Sequence, residues 1–268
     1  MSIPIPDAKG TCLITGASAG IGAEVARQIA ERGYNVTLAA RRIDRLTKLA
    51  AELENDHGVT ADAVACDVTN PAAREKMLED IKQNGKHVDI LVNNAGCGTE
   101  GSFIDNKAED AVRQIELNAV ALTALTHAVL PGMVKRGSGA VLNVASTAAF
   151  QPMPRQAVYA ATKAFVLSFS NAIGKELSGT GVSITALCPG PTRTEFFGPR
   201  MEQLEDSTPG IFWQSAEDCA KDGVEGMFKR KRIVIPKVTN RLTALSGSFT
   251  PTPITLEVLD RLWPAGKK

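Results

Sequence analysis

The sequence predicts an α/β fold of the doubly wound kind: one domain, with a parallel sheet covered by helices on both faces. Three observations carry this. Short apolar runs alternate with segments of helical period from residue 10 to about 235. The links between them are short, so each helix must carry the chain back for a parallel strand. No internal repeat, low-complexity tract or long linker divides the 268 residues. Right-handed crossovers then place helices on both faces of the sheet.

Taken in order, residues 10–15, 35–39, 60–66, 88–92, 140–145, 182–188 and 233–235 read as strands. Most are nearly continuous apolar runs, as expected of strands buried on both faces. Between them, 21–32, 43–55, 71–84, 108–135, 156–177 and 216–229 have the period and length of helices. Asn70 before Pro71 reads as an N-cap with proline at the first helical position, and Ser215 as an N-cap serine. Two regions break the rhythm. Residues 189–214 carry Pro189, Gly190, Pro191, Gly198, Pro199, Pro209 and Gly210, an irregular stretch after the sixth strand that reads as a substrate lid. Beyond Pro236, in an extension over 236–268, only 255–262 keeps a helical pattern.

Composition excludes several classes. With 44% hydrophobic and 22% charged residues the chain is neither disordered nor coiled coil. Thirty Lys and Arg against 29 Asp and Glu leave a net charge of +1, no global field for nucleic acid. The five cysteines form no CxxC pair and the three histidines lie away from them, so no metal site is expected. Buried free thiols point to a reducing, cytoplasmic setting. The N-terminus shows neither a basic segment nor a long apolar one, so no leader is expected. The apolar stretch 119–134 is interrupted by Thr123, Thr126, His127 and Pro131 and is not expected to span a bilayer. The basic run 229–232, with Lys237 and Arg241, reads as a charged helix end; weak contact with a membrane surface is the sharper alternative.

Chemistry concentrates at three places. TGASAGIG, residues 15–22, joins the first strand to the first helix. There Gly16 permits a tight turn, Gly20 admits a pyrophosphate to the backbone, and Gly22 lets helix pack on strand. The second strand ends in Ala40-Arg41-Arg42, with no acid to hold a ribose 2′-hydroxyl, whereas a guanidinium fork suits a 2′-phosphate. NADP(H) is therefore expected, read by Arg41 with Arg42 and Ser18 in support. Tyr159 and Lys163 are spaced i,i+4 on a predicted helix, so the ammonium is expected to favour the phenolate and make Tyr159 a usable acid/base. Ser146, ending the fifth strand, is placed to hydrogen-bond a reacting oxygen.

Together TGASAGIG, Asn93-Asn94-Ala95-Gly96, Ser146, Tyr159-xxx-Lys163 and Pro189-Gly190, with twelve residues between Ser146 and Tyr159, resemble the short-chain dehydrogenase/reductase family over residues 8 to about 235. The resemblance implies a Rossmann-type sheet of about seven strands. It also implies hydride transfer between NADP(H) and a carbonyl or secondary alcohol. By it, Tyr159 protonates the alkoxide, Lys163 holds the nicotinamide ribose and tunes Tyr159, Ser146 orients the carbonyl oxygen, and Asn118 anchors a water for proton relay. It carries cofactor contacts to Gly16, Ser18, Ala19, Gly20, Ile21 and Gly22, to Asp67 and Val68 at the adenine, and to Asn94, Ala95 and Gly96 at its ribose. Pro189, Gly190, Thr192 and Thr194 fall to the nicotinamide amide and phosphate. Ala19 departs from the basic residue that many NADP-preferring members carry there, and the C-terminal part departs as well. The resemblance further implies a homodimer or homotetramer built on helices 108–135 and 156–177, where Thr123, Ala124 and Ala128 permit close approach. Phe196, Phe197, Ile211, Phe212 and Trp213 make the lid apolar, which favours a lipophilic or small neutral substrate. An NADP-binding regulator without catalysis is the rival reading, and NAD-linked oxidation would require an acid at Ala40.

Overall fold

The computed structural model describes residues 3–99 and 101–262. Met1 and Ser2, read for a leader, and residues 263–268 of the C-terminal extension lie outside the described residues. Seven strands form one sheet in the order β3-β2-β1-β4-β5-β6-β9. These are β1 (Gly10–Thr15), β2 (Val36–Ala40), β3 (Ala61–Ala65), β4 (His87–Asn93), β5 (Gly139–Val144), β6 (Val182–Leu187) and β9 (Ile233–Val234). Every pairing in it is parallel. The chain runs outward from β1 to β3, then returns to β4 on the other side of β1. That reversal opens a crevice at the carboxyl ends of β1 and β4, where open α/β sheets bind ligands.

Alternation along the strands builds two cores. Cys12, Ile14, Leu38, Ile90 and Leu142 point to the face covered by α1 (Gly20–Glu31), α2 (Ile43–His57) and α8 (Ala216–Phe228). Leu13, Leu91, Val141 and Ile184 point to the other, under α3 (Pro71–Gln83), α5 (Leu122–Arg136) and α6 (Ala157–Glu176). Asn70 caps α3 by accepting from the Ala73 N–H at 3.2 Å, and Ser215 caps α8 by accepting from the Asp218 N–H at 2.9 Å, as their sequence positions predict.

The helix expected over 108–135 is α4 (Ala108–Ile115), a π-helical stretch (Glu116–Ala121) and α5 in continuous succession. The wider π turns carry Asn118, an insertion of the kind common at functional sites. Together they make a 29-residue helix that is long and apolar enough to cross a membrane by length and composition; 44% of its most apolar window is buried inside the fold.

The lid region holds β7 (Thr192–Arg193), α7 (Met201–Ser207) and β8 (Gln214–Ser215), with β7 and β8 paired as a small parallel sheet. After β9 come α9 (Val238–Phe249), which the sequence pattern does not announce, and α10 (Thr252–Leu262), three residues longer than its pattern. Much of the basic run is spent inside the molecule. Lys229 pairs with Glu225, Arg230 donates to the Gly181 carbonyl, Lys237 to Trp213 O and Arg241 to Ile235 O.

The entry to β6 depends on one backbone crossing. Gly181 has φ +84°, and a Cβ there would stand 1.8 Å from the Gly137 carbonyl oxygen, in the turn that leads into β5. Gly179 has φ +87° but nothing within 4 Å. Gly179→Ala should therefore cost only its backbone strain, about 1 kcal/mol. Gly181→Ala adds a clash with backbone and should cost about 3 kcal/mol. Thermal unfolding of the two variants should show a loss for Gly181→Ala at least twice that for Gly179→Ala.

Candidate active site

At the end of β5, Ser146 caps a 3-10 turn, its Oγ accepting from the Ala148 N–H at 3.1 Å. Helix α6 presents Tyr159 and Lys163 one turn apart, as the spacing predicts. Lys163 is buried, 5% exposed, and donates from Nζ to the Val144 carbonyl at 2.8 Å; the same nitrogen lies 5.7 Å from the centre of the Tyr159 ring. Burial lowers its pKa from 10.5 to about 8. The Tyr159 phenol moves the other way. Burial raises it to about 12, with the Ser146 hydroxyl pulling it back only in part. The sequence reasoning expects Lys163 to depress the tyrosine, but desolvation of the phenolate raises it, the counterweight comes from Ser146, and the ammonium hydrogen-bonds a main-chain carbonyl.

From the π stretch Asn118 reaches the same place. Its Nδ2 donates to Cys97 O at 2.9 Å and to Thr162 Oγ1 at 3.1 Å, and its Oδ1 accepts from the Cys97 N–H at 3.0 Å. A Cβ on Gly96 would stand 3.2 Å from Asn118 Oδ1 and 3.5 Å from Lys163 Nζ. Gly96 thus keeps a gap clear between these two side chains. Behind them a buried polar chain ties the strands to the helices: Asn93 Nδ2 donates to Thr126 and to Asn143 Oδ1, and Asn143 Nδ2 to Ser170, each at 2.9 Å.

The glycine loop stands across the crevice. Gly16 has φ +67°, and a Cβ on Gly22 would fall 2.4 Å from Asn94 Nδ2 and 2.6 Å from the Gly16 carbonyl oxygen. Asn94 donates from Nδ2 to Thr15 O (3.0 Å) and Gly16 O (3.2 Å), while Thr15 Oγ1 accepts the Asn94 and Ala95 N–H groups at 3.1 Å. Ala19 begins α1 with no side-chain cap and no acid in the first turn, and Ile21 packs inward against the core. The first N–H groups of α1 therefore have no side-chain acceptor, as a phosphate-binding helix end requires. The donor set fits a dinucleotide.

At the end of β2, Arg42 donates from Nε (3.2 Å) and Nη2 (2.9 Å) to Ser18 Oγ, and from Nη1 to Glu195 at 2.8 Å. Arg41 is exposed and, among the described residues, makes no hydrogen bond or ion pair. The Asp67 carboxylate accepts from the Thr69 hydroxyl (2.8 Å) and N–H (3.0 Å), which hold its pKa low, and Val68 is buried beside it. Pro189 O accepts from the Thr147 N–H at 2.8 Å. Thr194 lies against the glycine loop, its Cγ2 3.0 Å from where a Gly20 Cβ would be. Thr192 is buried, donating to Gly190 O (2.9 Å) and accepting from Gln214 Nε2 (3.0 Å). The structure brings Ser146, Tyr159, Lys163, Asn118 and Gly96 together and sets Asn94 and Thr194 against the glycine loop, while Ile21, Val68 and Thr192 are packed inward and Asp67 is engaged in a turn.

The sequence reading missed Asn240 and Glu195, and it named Phe196 only as an apolar lid residue, without its place against Tyr159. Phe196 sits across from Tyr159, ring centres 5.7 Å apart, its Cζ 3.1 Å from where a Gly98 Cβ would be. Trp213 and Phe197, ring centres 6.0 Å apart, instead fill the base of the lid. Asn240 of α9 lies against Gly190, where a Cβ would meet its amide at 2.3 Å, and donates to Phe212 O at 3.2 Å. Glu195 ties the lid to the β2–α2 corner. No sequence motif marks any of them.

The buried ammonium sets a testable sign. A lysine whose pKa is lower folded than unfolded destabilises the fold below about pH 8, and the penalty fades as pH rises toward 10.5. That penalty is about 3 kcal/mol, against about 1–2 kcal/mol for leaving Val144 O unpaired. Lys163→Met should therefore unfold at a higher temperature than the parent at pH 7. The advantage should shrink as pH is raised from 8 to 10, followed by circular dichroism.

Comparison with known proteins places this geometry. The family described as short chain dehydrogenase matches residues 10–205. The chain is 36% identical over 217 residues to a serine 3-dehydrogenase of Agrobacterium fabrum, covering 79% of this chain and 85% of that protein. It is 41% identical over 193 residues to an NADP-dependent 3-hydroxy acid dehydrogenase of Salmonella typhi, covering 71% and 76%. Its structure resembles that of a short-chain dehydrogenase from Sphingobium yanoikuyae in complex with NADPH, with a TM-score of 0.79, 37% identity, and coverage of 89% and 93%. A glycine loop, a Ser/Tyr/Lys cluster and a seven-stranded parallel sheet in this arrangement agree with that match over most of the chain, which belongs to the short-chain dehydrogenase family of oxidoreductases.

Proposed function

We propose that this enzyme transfers hydride between NADP(H) and a carbonyl/secondary-alcohol pair, with Tyr159 as the proton donor in reduction. The convergence of Ser146, Tyr159, Lys163 and Asn118 beside Gly96, at the carboxyl end of the sheet, carries the proposal. When bound, the nicotinamide supplies or accepts the hydride. Arg41, Arg42 and Ser18, with Ala40 in place of an acid, favour the 2′-phosphate form, and the NADPH bound to the Sphingobium relative agrees. Gly16, Ala19, Gly20, Ile21 and Gly22 cradle the pyrophosphate. Asp67 and Val68 flank the adenine, Asn94, Ala95 and Gly96 its ribose, and Pro189, Gly190, Thr192 and Thr194 the nicotinamide end.

In this reading Ser146 donates to the carbonyl oxygen and Tyr159 gives it a proton. Lys163, with its pKa brought to about 8, holds the ribose and supports reprotonation of Tyr159 near neutral pH. Asn118 fixes the main chain at Cys97 and anchors the relay water. The Phe196 ring over Tyr159 supports a lipophilic or small neutral carbonyl. Arg155 favours a second reading, a small hydroxy acid of the kind named for the two relatives. It lines a small open pocket with Thr99, Phe103 and Asn106, four residues before Tyr159, where Asp260 pairs with it at 2.8 Å.

NADPH oxidation over a panel of neutral and anionic carbonyls tests both. Tyr159→Phe should lower turnover by about 10²- to 10⁴-fold, with NADPH affinity nearly unchanged. Turnover of anionic carbonyls alone removes the neutral reading. NADPH binding without any turnover favours the non-catalytic rival, which the full Ser/Tyr/Lys/Asn set argues against.

We also propose a homodimer or homotetramer. Val112, Ile115 and Val120 on the long helix and Phe165 on α6 are exposed apolar side chains on the helices expected to pair. Light scattering at micromolar concentration should return a multiple of the chain mass, and a monomer would overturn this. The five free cysteines, four of them buried, support a reducing compartment.

A further inference from the structure

The β2–α2 corner gathers Arg41, Arg42 and Arg45 at the N-terminal end of α2, where the helix dipole adds to their positive charge. The lid lends this corner an anion. Glu195 accepts from Arg42 Nη1 at 2.8 Å and from Arg45 Nη1 at 2.7 and 2.8 Å. The two guanidinium groups hold its carboxyl below the usual range. The other edge of Arg42 rests on Ser18 of the glycine loop. Arg42 is therefore the joint between the loop and the lid.

The neighbours of Glu195 give that joint its reach. Thr194 lies against Gly20, and Phe196 covers Tyr159. Three consecutive lid residues thus touch the glycine loop, the arginine corner and the candidate acid.

We propose that Glu195 determines cofactor selectivity, because its carboxylate and a 2′-phosphate compete for Arg42. This rests on the reading of Arg41, Arg42 and Ser18 as the 2′-phosphate reader. A phosphate at Ser18 and Arg42 stands beside a carboxylate already bound to the same guanidinium, and the two anions repel. The lid's ion pair is weakened when the phosphate arrives, and by linkage the ion pair weakens phosphate binding equally. A nucleotide without the 2′-phosphate does not meet this competition. Glu195 is thus a selectivity filter as well as a lid tether.

Calorimetric titration of the full chain with 2′,5′-ADP and with ordinary ADP, for the parent and Glu195→Gln, tests this without turnover. Glu195 is exposed, so the substitution should leave the fold intact, checked by circular dichroism. The variant should bind 2′,5′-ADP about fivefold more tightly, with ADP affinity unchanged, and the gain should shrink in 0.5 M salt. An unchanged or weaker 2′,5′-ADP affinity, or an equal gain for ADP, overturns the proposal. Equal binding of the two nucleotides by both the parent and Glu195→Gln shows instead that the arginine corner reads no 2′-phosphate, and overturns the cofactor reading along with the proposal.

Discussion

The molecule depends on how closely the glycine loop approaches the end of β4. One side-chain amide, that of Asn94, donates to two successive carbonyls of that loop, Thr15 and Gly16, while the Thr15 hydroxyl accepts two main-chain N–H groups in return. This mutual bracing needs the space that a Cβ on Gly22 would fill. Because β1 and β4 are neighbours across the point where strand order reverses, the brace also fixes the crevice between them. A strand-to-helix turn held this way presents the start of α1 with its N–H groups uncapped, and the same segment continues through Ala95 and Gly96 into the space beside Lys163. The glycine loop and the proposed Ser146/Tyr159/Lys163 cluster are therefore joined through one continuous, hydrogen-bonded segment.

Electrostatics in that cluster runs against local solvation. Lys163 and Tyr159 are each pushed by burial toward their neutral forms, to about 8 and about 12. The phenol stays neutral and holds its proton, but burial by itself makes Tyr159 a weaker acid than a free tyrosine. What burial does not supply is stabilisation of the phenolate that remains. In the proposed reaction that stabilisation comes from Ser146, already pulling the value down, and from the Lys163 ammonium, whose nitrogen lies 5.7 Å from the ring centre. Keeping a lysine here at a cost to stability, when a methionine could fill the same space, is what a site built for proton transfer does.

Much of this was legible in the chain. Strand and helix positions follow from apolar period, and the caps at Asn70 and Ser215 are local chemistry, so both survive folding almost unchanged. Ser146, Tyr159 and Lys163 are legible because a strand end and a helical i,i+4 spacing set their geometry. Asn118 lies on a helix the sequence predicts, but its π turn does not show, since no residue type in 116–121 distinguishes an i→i+5 hydrogen bond from an i→i+4 one. Helix α9 was hidden by composition: Thr239, Asn240, Thr243, Ser246, Gly247 and Ser248 are weak helix formers, and packing against Gly190 and the lid supplies what propensity lacks. The sign of the Tyr159 shift was illegible for the same kind of reason, because desolvation depends on neighbours brought from β4, β5 and the lid.

The lid shows how such long-range contacts divide labour within one short segment. Its buried Trp213, the half-buried Phe197 against it, and the β7–β8 pair anchor it to the body. Its exposed or half-exposed residues, Thr194 to Phe196, do the touching. An apolar lid read from composition alone would be a passive hydrophobic cover. With a carboxylate between the threonine and the phenylalanine, the same cover reports charge at the arginine corner some distance from the tyrosine it shields. Apolar packing holds one end of this segment to the body, and the ion pairs of Glu195 with Arg42 and Arg45 tie the other to the β2–α2 corner.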